Sequence, residues 1–344
     1  MTGVAYCTRE QVQAALNKAD TFRSNTRIDA VIRAAARDLE AWTHRRFYPV
    51  TATRYPDWRR RVRGSVLDLD SMEYELTSLD TVTVDGTELT EGTDFYLDPE
   101  GGPPYTSIRL LDTSSASWSS TDRGNVLVGQ FGASATTRPA DTLAGGINSS
   151  VTTLTVSDSS LVGVGDLLTI GAERLNVVNK TTTDTTATVA ADLAANAGAR
   201  TLTVSDGTLI HEGELITVGA ERLFVEAIAG NVLTVRRAEN GSVLAAHATS
   251  DVIYAPRLCT VERAATGTTA ASHSDGATIL ANDPPGLVNE CSLAMSLVML
   301  EQGSNAYGRV LGSGDNQREA TGRSLQSIID DVVMAYGRIR SAAV

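Results

Sequence analysis

The chain has 344 residues, enough for two or three ordinary domains, and its 42% hydrophobic share excludes a disordered polypeptide. Aromatics are only 5%, while Thr, Ser, Ala, Val and Gly abound, which favours thin β-rich modules over one large aromatic core. A formal net charge of -12 argues against a general nucleic-acid binder, which gains affinity by neutralising phosphates with Lys and Arg, but it permits a conduit through which DNA slides without being gripped.

The charge is unevenly spread. Residues 1–64 hold 13 Arg or Lys against 6 Asp or Glu, so this stretch carries +7 and the remainder -19. Either a basic docking surface follows, or Arg heads are solvated on helix faces with their stems covering apolar surface. Cys7, Cys259 and Cys291 are too few and too scattered for a disulfide framework or a zinc cluster, and a reducing compartment is the simpler expectation. MTGVAYCTRE has no basic-then-apolar run, and the most apolar later stretch, LAMSLVML, is eight residues long, so neither secretion nor a membrane span is expected.

In chain order, Thr8 to Gln11 forms a capping box that opens a short helix with Val12, Ala15 and Leu16. A second helix opens near Asn25 or Thr26, with Ile28, Val31, Ile32, Ala35, Leu39 and Trp42 at helical spacing. Pro49 ends any helical continuation through HRRFYPV. From Tyr55 the pattern turns to short strands around Val66 and Leu67, Leu79 to Val84 before Asp85-Gly86, Phe95 to Leu97, and Ile108 to Leu111, closed by Asn125 to Phe131.

Residues 136–282 change character, with almost no aromatics and clear repetition. TLTVSD at 153–158 recurs at 201–206 and GAERL at 171–175 recurs at 219–223, both offset by 48 residues. A second offset, 26, relates Thr234-Val235, Arg237-Ala238, Gly241, Ala245 and His247 to Thr260-Val261, Arg263-Ala264, Gly267, Ala271 and His273. The two offsets together predict nesting: one β unit, opening near 153 and closing near 280, with a second copy inserted at roughly 197–256. Helix then returns, with Asp283 as cap and Pro284 at the first helical position, and Leu287, Cys291, Ala294, Met295, Val298 and Met299 on one face. After a Gly-rich stretch, a last helix carries Leu325, Ile328, Ile329, Val332, Val333, Tyr336 and Ile339.

The expected fold class is therefore α+β. Residues 1–64 supply N-terminal helices, 65–135 a β section, 136–282 an inserted, internally repeated all-β domain, and 283–344 C-terminal helices that join the first pair in a small helical bundle.

Candidate chemistry is sparse. His44, His211, His247 and His273 show no metal-ligand spacing, and the equivalence of His247 and His273 favours a repeated structural hydrogen bond over catalysis. No GxSxG, GxxxxGK[ST] or strand-to-helix GxGxxG occurs, and GVGDLL at 163–168 reads as a turn. Glu173 and Glu221, each followed by Arg, are read as solvated charges in a turn rather than as paired catalytic carboxylates. No enzyme, cofactor or metal is expected. The best candidate surface is Arg45, Arg46, Arg59, Arg60, Arg61 and Arg63 with Trp42, Phe47, Tyr48 and Trp58, suited to phosphate in a lumen, to an acidic protein interface, or to plain solvation.

REQVQAAL, the TRIDAVIRAAARDLEAWTHRRFYP helix, TSLDTVTVDGTELTEGTDFYLDPEGGPPYTSIRLL, NVLVGQFG and the helices opening at PPGLVNECSLAM resemble the head-to-tail adaptor (connector) proteins of long-tailed bacteriophages, over about residues 5–132 and 283–344. The resemblance implies a helical bundle with a β extension, assembled as a dodecameric ring around the DNA channel in the virion neck. It also implies a portal protein and a tail-side neck or terminator protein as partners, DNA passing without sequence specificity, and no membrane. C-terminal residues of the family dock on the portal, which points to Tyr336, Arg338, Arg340 and Val344. The 136–282 insertion departs from the family and looks like small β modules of various phage virion proteins. A tail terminator or completion protein, and an adhesin-like β-module protein, are the rival expectations.

Overall fold

The computed structural model describes residues 3–16, 24–69, 75–304 and 324–338. The protein is mixed, mostly β with a few helices, and its strands pair in antiparallel sheets.

Helix α1 (Arg9–Ala15) opens on the expected capping box: the Gln11 N–H donates to the Thr8 hydroxyl, and the Thr8 N–H donates to Gln11 Oε1 at 2.8 Å. Helix α2 (Asn25–Thr43) is capped by Ser24 and buries Ile28, Ile32, Ala35, Ala36 and Leu39 along one stripe. It stops at His44, whose left-handed backbone (φ 54°) turns the chain before Pro49 is reached.

The next segment runs through β1 (Val50–Arg54), α3 (Trp58–Arg61), β2 (Val62–Arg63), β3 (Val66–Asp68), β4 (Leu76–Val84), β5 (Thr87–Leu89), β6 (Phe95–Asp98), β7 (Ser107–Leu110) and β8 (Asn125–Phe131). Two four-stranded sheets form, ordered β1-β8-β4-β5 and β2-β3-β7-β6. Leu67, Leu76, Val82, Phe95, Ile108 and Leu127 belong to one core shared by both. In β8, Asn125, Leu127, Gly129 and Phe131 are buried while the residues between them are half-exposed, the period-2 pattern of a strand with one covered face. Residues 1–64, expected to supply the N-terminal helices, also hold strands β1 and β2, and Val50–Arg54 pairs with β8, Thr51 opposite Gln130. A five-residue strand with no buried residue carries too little pattern to stand out beside Pro49.

Residues 137–282 build a ten-stranded sheet from β9 (Thr137–Thr142), β10 (Thr153–Thr155), β11 (Leu167–Ile170), β12 (Glu173–Thr188), β13 (Thr201–Thr203), β14 (Leu215–Val218), β15 (Glu221–Ala229), β16 (Val232–Arg236), β17 (Val252–Glu262) and β18 (Thr278–Asn282). The long strands β12 and β17 pair along their length, from Asn176 opposite Glu262 to Thr188 opposite Val252. At one end they join β9, β10, β11 and β18 over a core that includes Leu154, Val156, Leu168, Leu175 and Val261; this is the outer ladder. At the other end they join β13 to β16 over a separate core that includes Leu202, Val204, Ile216, Leu223 and Val235; this is the inner ladder. Corresponding pairs recur: Leu168 opposite Leu175 and Ile216 opposite Leu223, Ile147 opposite His273 and Leu193 opposite His247. Pairing of Thr183 with Ala255 extends the inner ladder ahead of the expected start at 197, and pairing of Thr137 with Asn282 extends the outer one ahead of 153. These leading strands contribute backbone and small buried residues, Ala140 and Ala187, and so leave no repeated motif to read.

Helix α4 (Gly286–Ser304) starts two residues beyond the expected first position, because the Pro285 carbonyl accepts the N–H groups of Val288 and Asn289. Helix α5 (Leu325–Tyr336) is capped by Ser324. Ala35, Leu39 and Phe47 from the N-terminal segment share a core with Val288, Cys291 and Met295 of α4 and with Ile328 and Val332 of α5. Phe47 is its centre, edge-on to both Tyr6 (5.6 Å) and Tyr336 (5.3 Å).

Candidate functional site

The two ladders repeat one buried polar cluster. In the outer ladder, Glu173 opens β12 and accepts from Arg263 Nε and Nη2 (both 2.7 Å), the Ala264 N–H (3.1 Å), the Ala271 N–H (3.0 Å) and His273 Nε2 (2.8 Å). In the inner ladder, Glu221 opens β15 and accepts from Arg237 Nε and Nη2 (both 2.7 Å), the Ala238 and Ala245 N–H groups (both 3.0 Å) and His247 Nε2 (2.8 Å). A carboxylate only accepts, so each imidazole carries its proton on Nε2. Between the Arg and the His, each loop passes through three left-handed residues, Ala238, Asn240 and Gly241 or Ala264, Thr266 and Gly267, which wrap the main chain round the carboxylate.

The expectation of solvated glutamates is therefore overturned: Glu221 is 0% and Glu173 1% exposed. Burial alone would raise their pKa values, but the Arg, two N–H groups and the His outweigh it and hold both at about 2. All four oxygen lone-pair directions are used and the bidentate Arg neutralises the charge, so the cluster is a structural latch with no acceptor left for a substrate. The two histidines take the structural hydrogen bond expected for them.

Other buried charges tie the parts together, and these were not legible in the sequence. Arg9, at the start of α1, forms a bidentate pair with Asp29 of α2 (2.8 and 2.7 Å), and its N–H donates to the Val164 carbonyl of the outer ladder. Glu214 accepts from Arg257 (2.9 and 2.7 Å) and from both the N–H and the hydroxyl of Ser159, which joins inner to outer ladder. Its counterpart by the 48-residue offset, Asp166, pairs with Arg138 at 3.0 Å. A cavity of about 490 Å³ opens beside Asp166 between the start of α1, the β9 entry and the start of α4, where Asn282 Oδ1 is buried without a hydrogen-bond partner among the described residues.

The six arginines of the expected basic surface are split by the fold. Arg45 lies 3.3 Å from Glu75, Arg46 lies 3.8 Å from Glu40, and Arg61 is buried. Arg59, Arg60 and Arg63 remain exposed on α3 and β2, Arg59 over the Trp58 ring at 5.6 Å and Arg60 3.7 Å from Asp57. Of the expected portal contacts, Tyr336 is half-buried against Phe47, and Arg338 pairs with Glu75 at 2.5 Å while its N–H donates to the Thr43 carbonyl. Arg340 and Val344 lie outside the described residues.

The loop of the outer latch is also a docking element. Gly267 approaches the Thr51 carbonyl so closely that a Cβ would lie 2.1 Å from it. Arg174, next to Glu173, donates to Gln130 Oε1 (3.0 Å) and to the Thr51 hydroxyl, the facing pair on β8 and β1. Burial lowers the Arg174 pKa to about 10. Among the described residues no group of three or more His, Cys, Asp or Glu side chains is placed to hold a metal ion, and no helix is long and apolar enough to cross a membrane. No family model, curated protein or solved structure matches the chain.

Proposed function

We propose that this protein is a structural, non-enzymatic subunit of a phage neck: a head-to-tail adaptor that forms a ring between portal and tail and encloses the DNA channel. The observation that carries the reading is the core around Phe47, in which segments from the two ends of the chain meet, while residues 137–282 form a sheet of their own that adds only Leu167 and Ala265 to that core. That is the arrangement the adaptor resemblance implies, a small bundle of terminal helices with β extensions. The buried latches support a load-bearing role over catalysis, because their polar groups are consumed internally.

Within this reading the insertion is one β unit carrying a nested second copy, supported by the way β12 and β17 run through both ladders. The basic docking or lumen surface narrows to Arg59, Arg60 and Arg63. With Tyr336 and Arg338 engaged in the body, portal contact falls to the last residues of the chain, Arg340 and Val344 among them.

The test is to mix the purified protein with the portal ring of its phage and image the mixture by electron microscopy with symmetry left free. A second ring stacked coaxially under the portal, twelve-fold by the resemblance, is expected. Binding to tail tubes alone replaces the adaptor with a terminator, and binding to cells alone replaces it with an adhesin.

A further inference from the structure

The inner ladder carries the same surface that docks the outer ladder onto the body. Arg222 stands where Arg174 does, beside the latch glutamate, and its N–H donates to the Ser242 hydroxyl as that of Arg174 donates to Thr268. The loop from Ala238 to Gly241 has the left-handed backbone of its counterpart. One edge of this surface is met within the chain, where Asn240 donates to Gln13 of α1 at 3.2 Å. Arg222, however, is exposed where Arg174 is buried, and the neighbouring Val243 is 78% exposed. The outer copy thus shows what such a surface sits on, the outward face of an antiparallel ladder with a Thr and a polar acceptor facing each other across two strands.

The body offers more of that face. The outer ladder covers the Thr51 and Gln130 end of the β1-β8-β4-β5 sheet. Farther along, the residues that alternate with the buried ones are Thr53, Val126, Val128, Thr81, Thr83 and, on the edge strand, Glu88. Thr83 faces Glu88 across β4 and β5, and both Thr53 and Glu88 are exposed. A Thr opposite an acceptor recurs there, with a carboxylate in place of the Gln130 amide.

We propose that the Arg222 face of the inner ladder docks on the Thr83–Glu88 face of a second copy of this chain, Arg222 meeting Glu88. The contact joins two different surfaces, as a closed ring requires. It rests on the ring reading and names the neighbour contact within it.

The experiment uses the full chain with Val243→Cys and Thr83→Cys, the three native cysteines being buried, treated with a bis-maleimide and followed by native mass spectrometry. Cross-linked dimers, trimers and larger species are expected, whereas either single substitution stops at dimers. Adding Arg222→Glu lowers self-association about tenfold, on the order of one charge-assisted contact, and adding Glu88→Arg restores it. Circular dichroism checks that each variant is folded. Oligomers that form without cross-linking of the pair overturn the docking and leave the ring intact. A chain that stays monomeric and uncross-linked at every concentration also overturns the docking, while ring assembly on the portal is judged separately by the microscopy above.

Discussion

The outer and inner ladders share a latch down to tenths of an ångström, yet differ in what the next residue does. Arg174 is buried and bonded to the body, whereas Arg222 is exposed and reaches the Asn240 carbonyl at 3.3 Å. The difference teaches that Glu, Arg and His together are the fold-forming element, while the Arg beside the Glu is free to serve whatever surface lies nearby. The same separation appears in energy: a buried bidentate pair is costly to break from one side, and an exposed arginine is not.

The largest effect is expected from breaking the latches one at a time. Glu221→Gln leaves Arg237 buried without its counter-charge and costs about 3–5 kcal/mol; hydrogen exchange should show protection lost over 201–236 and kept in β10 and β11. Glu173→Gln should cost a similar amount but loosen both ladders, because β12 and β17 carry the inner ladder as their continuation. If Glu221→Gln melts both ladders together, the two are one cooperative unit and the comparison fails.

Acid sharpens the same contrast. Both latch glutamates sit at about 2 against an ordinary 4.5, so the unfolded chain binds more protons between these values. Their contribution is complete above about pH 4.5 and drains as the pH falls toward 2. Thermal unfolding followed over that window should lose stability steeply in the parent chain and less steeply in Glu221→Gln, which has one titrating latch fewer.

Arg174→Ala should cost about 1–3 kcal/mol through the acceptors it leaves at Thr51 and Gln130, and Arg222→Ala within about 0.5 kcal/mol in the isolated chain. Equal costs in chemical denaturation would show that the inner copy is docked as firmly as the outer. Thr8→Ala, which removes one half of the α1 capping box, should cost about 1 kcal/mol, between the two arginine changes.

The helices were legible where local rules act alone: the Thr8 and Gln11 reciprocity and the stripe from Ile28 to Leu39 need only the chain's own spacing. Strands β3, β4, β6, β7 and β8 were legible from alternation bounded by turns such as Asp85-Gly86, where both residues have positive φ. The latch was half visible. Its Glu recurs at one offset and its Arg and His at another, so the three were separate signals, and a Glu followed by Arg in a turn reads as solvated until its partners are known. Arg9 with Asp29, and Glu214 with Arg257 and Ser159, gave no signal, since nothing in the spacing of single charged residues says which will meet across 20 to 55 positions.

What the amino-acid order determined by itself is therefore local and repetitive: caps, periodicity, turns, and the presence of two related β units between terminal helices. The tertiary structure decided which charges are buried, which arginines of the basic run stay free of the fold, and which copy of the repeated surface is covered. The physical reason is that burial is a property of everything that packs around a group. A carboxylate keeps its charge inside a protein only when an Arg, a His and main-chain N–H groups converge on it from distant segments, and that convergence exists only once the chain has folded.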